Sequence, residues 1–167
     1  MTSGISGAGD SAEEQFFYYT SARKPDRAAE GDAIIDGRIV EIKQASSVTI
    51  NQVRAVTYIP LVVRDTRRNR WFVVPPDDVV RLVSRKKRGQ HTENPFESAT
   101  LSVNNIGQHE IGDPTELHAA VLAAAAKGDK WPELRSAMVD VKQQAVDLAT
   151  DSLARVREIL RKGPVIE

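Results

Sequence analysis

The chain has 167 residues, no cysteine and a formal net charge of zero, with 23 Lys and Arg balancing 23 Asp and Glu. That length suits one domain with a full-sized core, and the missing cysteine excludes disulfides, thiolate zinc sites and iron–sulfur clusters. No apolar run is long enough to span a membrane and no signal-peptide core opens the chain, so the expected setting is a bacterial or archaeal cytoplasm with no membrane partner.

Residues 1–10 are rich in Gly and Ser and are expected to be mobile. Ser11-Ala-Glu-Glu14 reads as a capping box, opening a helix that carries Phe16, Phe17, Tyr18 and Tyr19 and ends before Pro25. Next comes "GDAIIDGRIVEIKQ", residues 31–44. Asp36-Gly37 is a type I′ hairpin signal, because both turn positions need φ > 0. A two-residue turn pairs Ile35 with Arg38, Ile34 with Ile39 and Ala33 with Val40, which puts Asp32 opposite Glu41. Side chains alternate along a strand, so Asp32, Glu41 and Lys43 share one face while Val40 and Ile42 take the other. Like charges held so close are destabilising unless a cation sits between them. Lys43 supplies part of that charge and a divalent ion such as Mg²⁺ would supply more; an exposed face with an ordinary salt bridge is the other reading.

Beyond the hairpin, "SSVTINQVRAVTY" has apolar residues at Ile50, Val53 and Val56 and is expected to be a short helix. "YIPLVVRD" and "RWFVVP" are strands joined by a basic loop, "PPDDVVRLVSR" starts like a helix, and "SATLSVNN" reads as an edge strand. Between Arg64 and Arg88 nine basic residues meet three acidic ones, a local charge of +6 inside a neutral protein. Such a stripe is the footprint of phosphate binding. Arg64 at the end of one strand, Arg67 and Arg68 in the loop after it, and Arg85, Lys86, Lys87 and Arg88 in the next loop are its DNA-contact candidates, with Gln90 placed to reach base edges. Asn94, Asn104 and Asn105 suit turns as well as they suit adenine. The three histidines lack metal-ligand spacing.

Asp113-Pro114-Thr115-Glu116 caps another helix, which Gly128 is expected to close. From Pro132 to Lys162 no breaker occurs, and Leu134, Met138, Val141, Ala145 and Leu148 form a stripe that Leu153, Val156 and Leu160 continue. A continuous helix there would be about 45 Å long, and it is expected to wrap the core or to build a homodimer interface.

An acidic helix, an Asp-bearing strand, a tight turn and a Glu-x-Lys strand, in that order, resemble the PD-(D/E)XK nuclease superfamily, which includes type II restriction endonucleases and archaeal Holliday-junction resolvases. Asp32 in "DAIID" and Glu41 and Lys43 in "VEIK" carry the resemblance, which covers roughly residues 9–84. Gly31 stands where the family name has proline, and no Gln-x-x-x-Tyr element follows the lysine, which sets the RecB-like branch aside. The resemblance implies an α/β fold with a central mixed β-sheet flanked by helices: a single nuclease domain with a core at about 9–106 and a helical C-terminal extension at about 113–162. It further implies Mg²⁺, replaceable by Mn²⁺, held by Asp32, Glu41 and the Ile42 carbonyl, with Lys43 positioning water. "SAEEQFF" is similar to the resolvase opening helix and makes Glu13 the fourth catalytic candidate. The expected activity is cleavage of double-stranded DNA by a homodimer, as in a small type II restriction enzyme. A junction resolvase and a non-catalytic DNA-binding module on the same fold are the alternatives.

Overall fold

The hairpin is where the sequence predicts it. In the computed structural model, which describes residues 11–27, 30–143 and 149–165 (side chains of 149–151 excepted), β1 (Ala33–Ile35) and β2 (Arg38–Ala45) pair antiparallel with Ile35 facing Arg38, Ile34 facing Ile39 and Ala33 facing Val40. Asp36 and Gly37 take φ of 47° and 78°, the left-handed values that a type I′ turn requires. The Ser11 hydroxyl accepts the Glu14 amide hydrogen and so caps α1 (Ala12–Tyr19).

The architecture is α/β, as expected. β4 (Leu61–Asp65) and β5 (Arg70–Val74) extend the hairpin into a mixed sheet, β4 running parallel to β2 and antiparallel to β5. The short β7 (Glu110–Ile111) closes the five-stranded order β1-β2-β4-β5-β7. Each face of the sheet is apolar at alternate positions and each is covered. Val40, Ile42, Val62, Trp71 and Val73 pack under α1 and α3 (Leu117–Asp129), which contribute Phe16, Leu117 and Val121. Ala45, Leu61, Val63, Phe72 and Val74 pack on the other side under α2 (Pro76–Val83), a two-stranded ribbon and the C-terminal helices.

Three expectations change. The segment read as a helix after the hairpin is instead β3 (Thr49–Val53), paired antiparallel with β6 (Ala99–Ser102), and a single 3-10 turn follows at Ala55–Thr57. The apolar spacing of three that suggests a helix comes from a β-bulge. Ile50 faces Leu101 and Val53 faces Ala99, so Asn51 and Gln52 together oppose Thr100 and both flanking apolar side chains turn inward. Gly128 does not end α3, which runs on to Asp129. It permits close packing: a Cβ there would stand 2.6 Å from Cγ of Pro76, and its carbonyl accepts the buried Tyr58 hydroxyl at 2.8 Å.

The third change concerns the C-terminal third. It forms two helices, α4 (Pro132–Gln143) and α5 (Ala149–Lys162), in place of one long helix. The Val165 amide donates to the Lys130 carbonyl at 2.9 Å, so the end of α5 returns to the start of α4. Leu134, Met138, Val141 and Val156 are all buried in the core beneath the sheet. The described part of the stripe therefore packs within one chain, as the expectation of a helix wrapping the core has it, and not at a subunit interface. Ala145 and Leu148 of that stripe, and the expected mobility of residues 1–10, lie outside the described residues.

Candidate active site

Asp32 is held against Ile42, the residue between Glu41 and Lys43, where the pairing of β1 ends and β2 continues. Glu41 and Lys43 alternate with Val40 and Ile42, so they lie on the side of the sheet that carries α2 and the ribbon, where Lys43 Nζ is 3.2 Å from Glu41 Oε1. Their side chains are only 16 % and 22 % exposed, which separates this pair from an ordinary surface salt bridge. Asp32 departs from the simple register. Its amide donates to Val40, the residue already paired with Ala33, so two residues of the first strand share one partner. The bulge swings the Asp32 carboxylate onto the strand edge, where Oδ2 accepts the Ile42 amide hydrogen at 2.7 Å. The amide and carbonyl of one strand residue point to the same edge, so the Ile42 carbonyl emerges beside Asp32.

That arrangement offers two carboxylates and a backbone carbonyl within one stretch of strand. Hard oxygen donors of this kind suit Mg²⁺, which binds through one or two carboxylates and keeps waters and substrate phosphate as its remaining ligands. The donor set therefore fits the ion that the resemblance implies. Among the described residues no group of three or more His, Asp or Glu is placed to hold a metal, so the carbonyl would have to complete the protein's share. Glu13 is exposed on α1, which covers the opposite face of the sheet, and the structure does not bring it to the other three. Gln44 points to that opposite face as well, where its Oε1 caps the Ala12 amide at 2.9 Å.

The basic residues divide. Arg67, Arg68, Arg85, Lys87 and Arg88 are exposed and Lys86 is half-buried. Arg64 is not available to an outside phosphate. It lies on the α1 face of β4, is only 3 % exposed, and donates to Asn69 Oδ1 at 3.2 Å. Strand alternation next to Val63 and Asp65 dictates that direction, which a count of basic residues along the chain does not show. Gln90 is likewise engaged: its Oε1 accepts from the Gln52 amide at 2.7 Å and the Thr100 hydroxyl at 3.1 Å. Asp65 is fully buried and ion-paired to Arg67 and Arg70 at 3.2 and 3.1 Å. Burial alone would push its carboxyl up, but hydrogen bonds from both arginines hold it below the ordinary range.

Other charges serve the fold. Asp77 and Asp78 open α2 and share Lys127 of α3, at 3.5 and 2.7 Å, while His109 Nε2 stands 3.3 Å from Asp78. Burial, then the neighbouring Asp78, pushes Asp77 up. Burial would do the same to Asp78, but hydrogen bonds from His109 and Lys127 outweigh it and take that carboxyl down to about 2. His118 reaches Asp36 in the hairpin turn at 2.9 Å and ties α3 to it. A cavity of about 180 Å³ beside that turn is lined by Arg38, Ile39, Tyr58, Ile59 and Arg135, and Asp129 pairs with both arginines.

No described helix is long and apolar enough to cross a membrane. Neither a protein-family model, nor a curated protein, nor a solved structure matches the chain.

Proposed function

We propose that the protein is a Mg²⁺-dependent endonuclease that hydrolyses double-stranded DNA in the manner of a small type II restriction enzyme. One observation carries this reading: a part-buried Glu41–Lys43 pair flanks Ile42, whose amide holds the Asp32 carboxylate, on a hairpin otherwise built mainly from Ile, Val and Ala. Lys43 offsets one of these two carboxylate charges and the Ile42 amide serves one oxygen of the other, which leaves a net negative charge and free oxygens for a cation.

Asp32, Glu41 and the Ile42 carbonyl would hold the ion, and Mn²⁺ would be accepted by the same oxygens. When bound, the metal offsets charge on the phosphate and lowers the pKa of a coordinated water. Lys43, tethered to Glu41, orients the attacking water and stabilises negative charge that develops on the phosphoryl oxygens. The exposed Arg67, Arg68, Arg85, Lys87 and Arg88 supply phosphate contacts that hold the duplex. One such site cuts one strand, so a double-strand break calls for two copies of the chain, and a homodimer is part of the proposal.

The test is cleavage of supercoiled plasmid and of a synthetic four-way junction in Mg²⁺, with Glu41→Gln and Lys43→Ala as controls. Plasmid cutting that both variants lose supports the reading. Preference for the junction moves the function to a resolvase, and wild-type rates in Glu41→Gln remove the site altogether. Calorimetry adds a readout independent of turnover: Mg²⁺ uptake with DNA present should survive in Lys43→Ala and fall in Glu41→Gln.

A further inference from the structure

The β3–β6 ribbon lies on the same side of the central sheet as Glu41 and Lys43, and β3 follows β2 after only a short turn. Its inner face, with Ile50, Val53, Ala99 and Leu101, is core. Its outer face is polar and built in an unusual way. Ordinary alternation would bury one of Asn51 and Gln52, but the bulge turns both outward and leaves both exposed. Gln52 adopts φ of 53° to achieve this, and His91, across the neighbouring cavity, adopts 63°. Left-handed backbone in residues other than glycine costs energy, and such strain collects at functional positions. The Gln90 side chain supports the bulge by accepting the amide hydrogen of Gln52 and the hydroxyl of Thr100. The result is an open cavity of about 540 Å³ rimmed by Gln52, Arg54, His91, Glu97 and Lys142.

We infer that this outer face reads base edges in the major groove of duplex DNA, with Asn51, Gln52, Arg54 and His91 as the reading side chains and Gln90 as a positioning residue. The inference rests on the nuclease reading for its choice of duplex DNA as partner. The major groove admits a two-stranded ribbon, and the side chains present match its code: Asn and Gln pair with adenine, Arg with guanine, and a carboxylate such as Glu97 accepts from the cytosine amino group. The exposed Arg85, Lys87 and Arg88 lie a few residues before Gln90, where they would seat the flanking phosphates.

The test selects bound duplexes from a randomised DNA pool with the full-length chain in Ca²⁺, and separately measures plasmid cutting in Mg²⁺. Wild type should enrich one short sequence. Gln52→Gly, which suits the left-handed backbone and leaves the fold intact, and Arg54→Ala should each lose about tenfold or more of that preference while still binding DNA. A wild type that enriches no sequence overturns the inference, as do variants that keep the wild-type preference. Selection without cutting would sink the nuclease reading and leave base reading standing, and cutting without selection would do the reverse.

Discussion

The Asp32 carboxylate accepts the Ile42 amide hydrogen at 2.7 Å, replacing with a side chain the strand partner that β1 no longer provides. The residue proposed to hold a metal therefore also completes the sheet.

The two roles separate by substitution. Asp32→Asn keeps an oxygen acceptor for Ile42 and should unfold within about 0.5 kcal/mol of wild type. Asp32→Ala leaves a part-buried amide without a partner and should cost about 1–3 kcal/mol. Both should lose Mg²⁺-dependent cleavage. Urea titration of the two variants checks the difference. Equal losses would mean that the charge of Asp32, and not its hydrogen bond, supports the hairpin.

Asp78 makes stability depend on acid. Its folded pKa of about 2 lies below the ordinary 3.8, so the stabilisation is complete above pH 4 and fades as pH falls toward 2. The shift corresponds to about 2 kcal/mol at neutral pH, of which roughly half is left at pH 3. Asp77, held above its ordinary value, works in the opposite direction and is relieved when protonated. Asp78→Asn should therefore lose about 2 kcal/mol at pH 7 against wild type, with the gap closing on acidification. Denaturant midpoints for both proteins from pH 7 to pH 3 provide the check, and a gap constant with pH would contradict the pairing with Lys127 and His109.

Gly128→Ala should destabilise, although alanine is the better helix former by about 1 kcal/mol. The added methyl would stand 2.6 Å from Cγ and 3.1 Å from Cδ of Pro76, a ring that has no rotamer to escape into. Overpacking of this kind costs about 1–3 kcal/mol. Adding Pro76→Ala to Gly128→Ala should recover part of the loss, and a double-mutant cycle measures that coupling directly. Strict additivity would show that the two residues do not press on each other.

What the sequence discloses follows from how local the signal is. Asp36-Gly37 sets the turn and hence the register of the residues that follow, so the Glu41–Lys43 face is legible from spacing alone. The swing of Asp32 onto Ile42 is not, because it depends on a bulge that spacing does not encode. The bulge in β3 misleads more strongly: it places Ile50 and Val53 three residues apart on one face, which is a helix's period. At the C-terminus the chain from Pro132 to Lys162 has no Gly or Pro inside it, so composition offers no sign that it forms two helices, α4 and α5, packed against each other. Arg64 shows a third limit. Charge counted along a sequence says nothing about direction, and this arginine points into the layer beneath α1.

The return of α5 onto α4 turns an assembly question into a folding one. Met138 is fully buried among the residues that cover the sheet, while Val139, the next residue, is 48 % exposed. If the apolar stripe existed to join two chains, a lysine at Met138 would give a folded monomer. Because it packs within one chain, Met138→Lys buries an unpaired ammonium and removes a large apolar side chain, and each effect alone costs several kcal/mol. Total stability of an ordinary domain is about 5–15 kcal/mol, so the variant should be largely unfolded at 25 °C. Val139→Lys should stay within about 0.5 kcal/mol of wild type. Circular dichroism paired with sedimentation equilibrium decides the matter. A helical, cooperatively melting, monomeric Met138→Lys would return the stripe to the subunit interface, whereas loss of the melting transition in that variant alone places it in the core of a single chain.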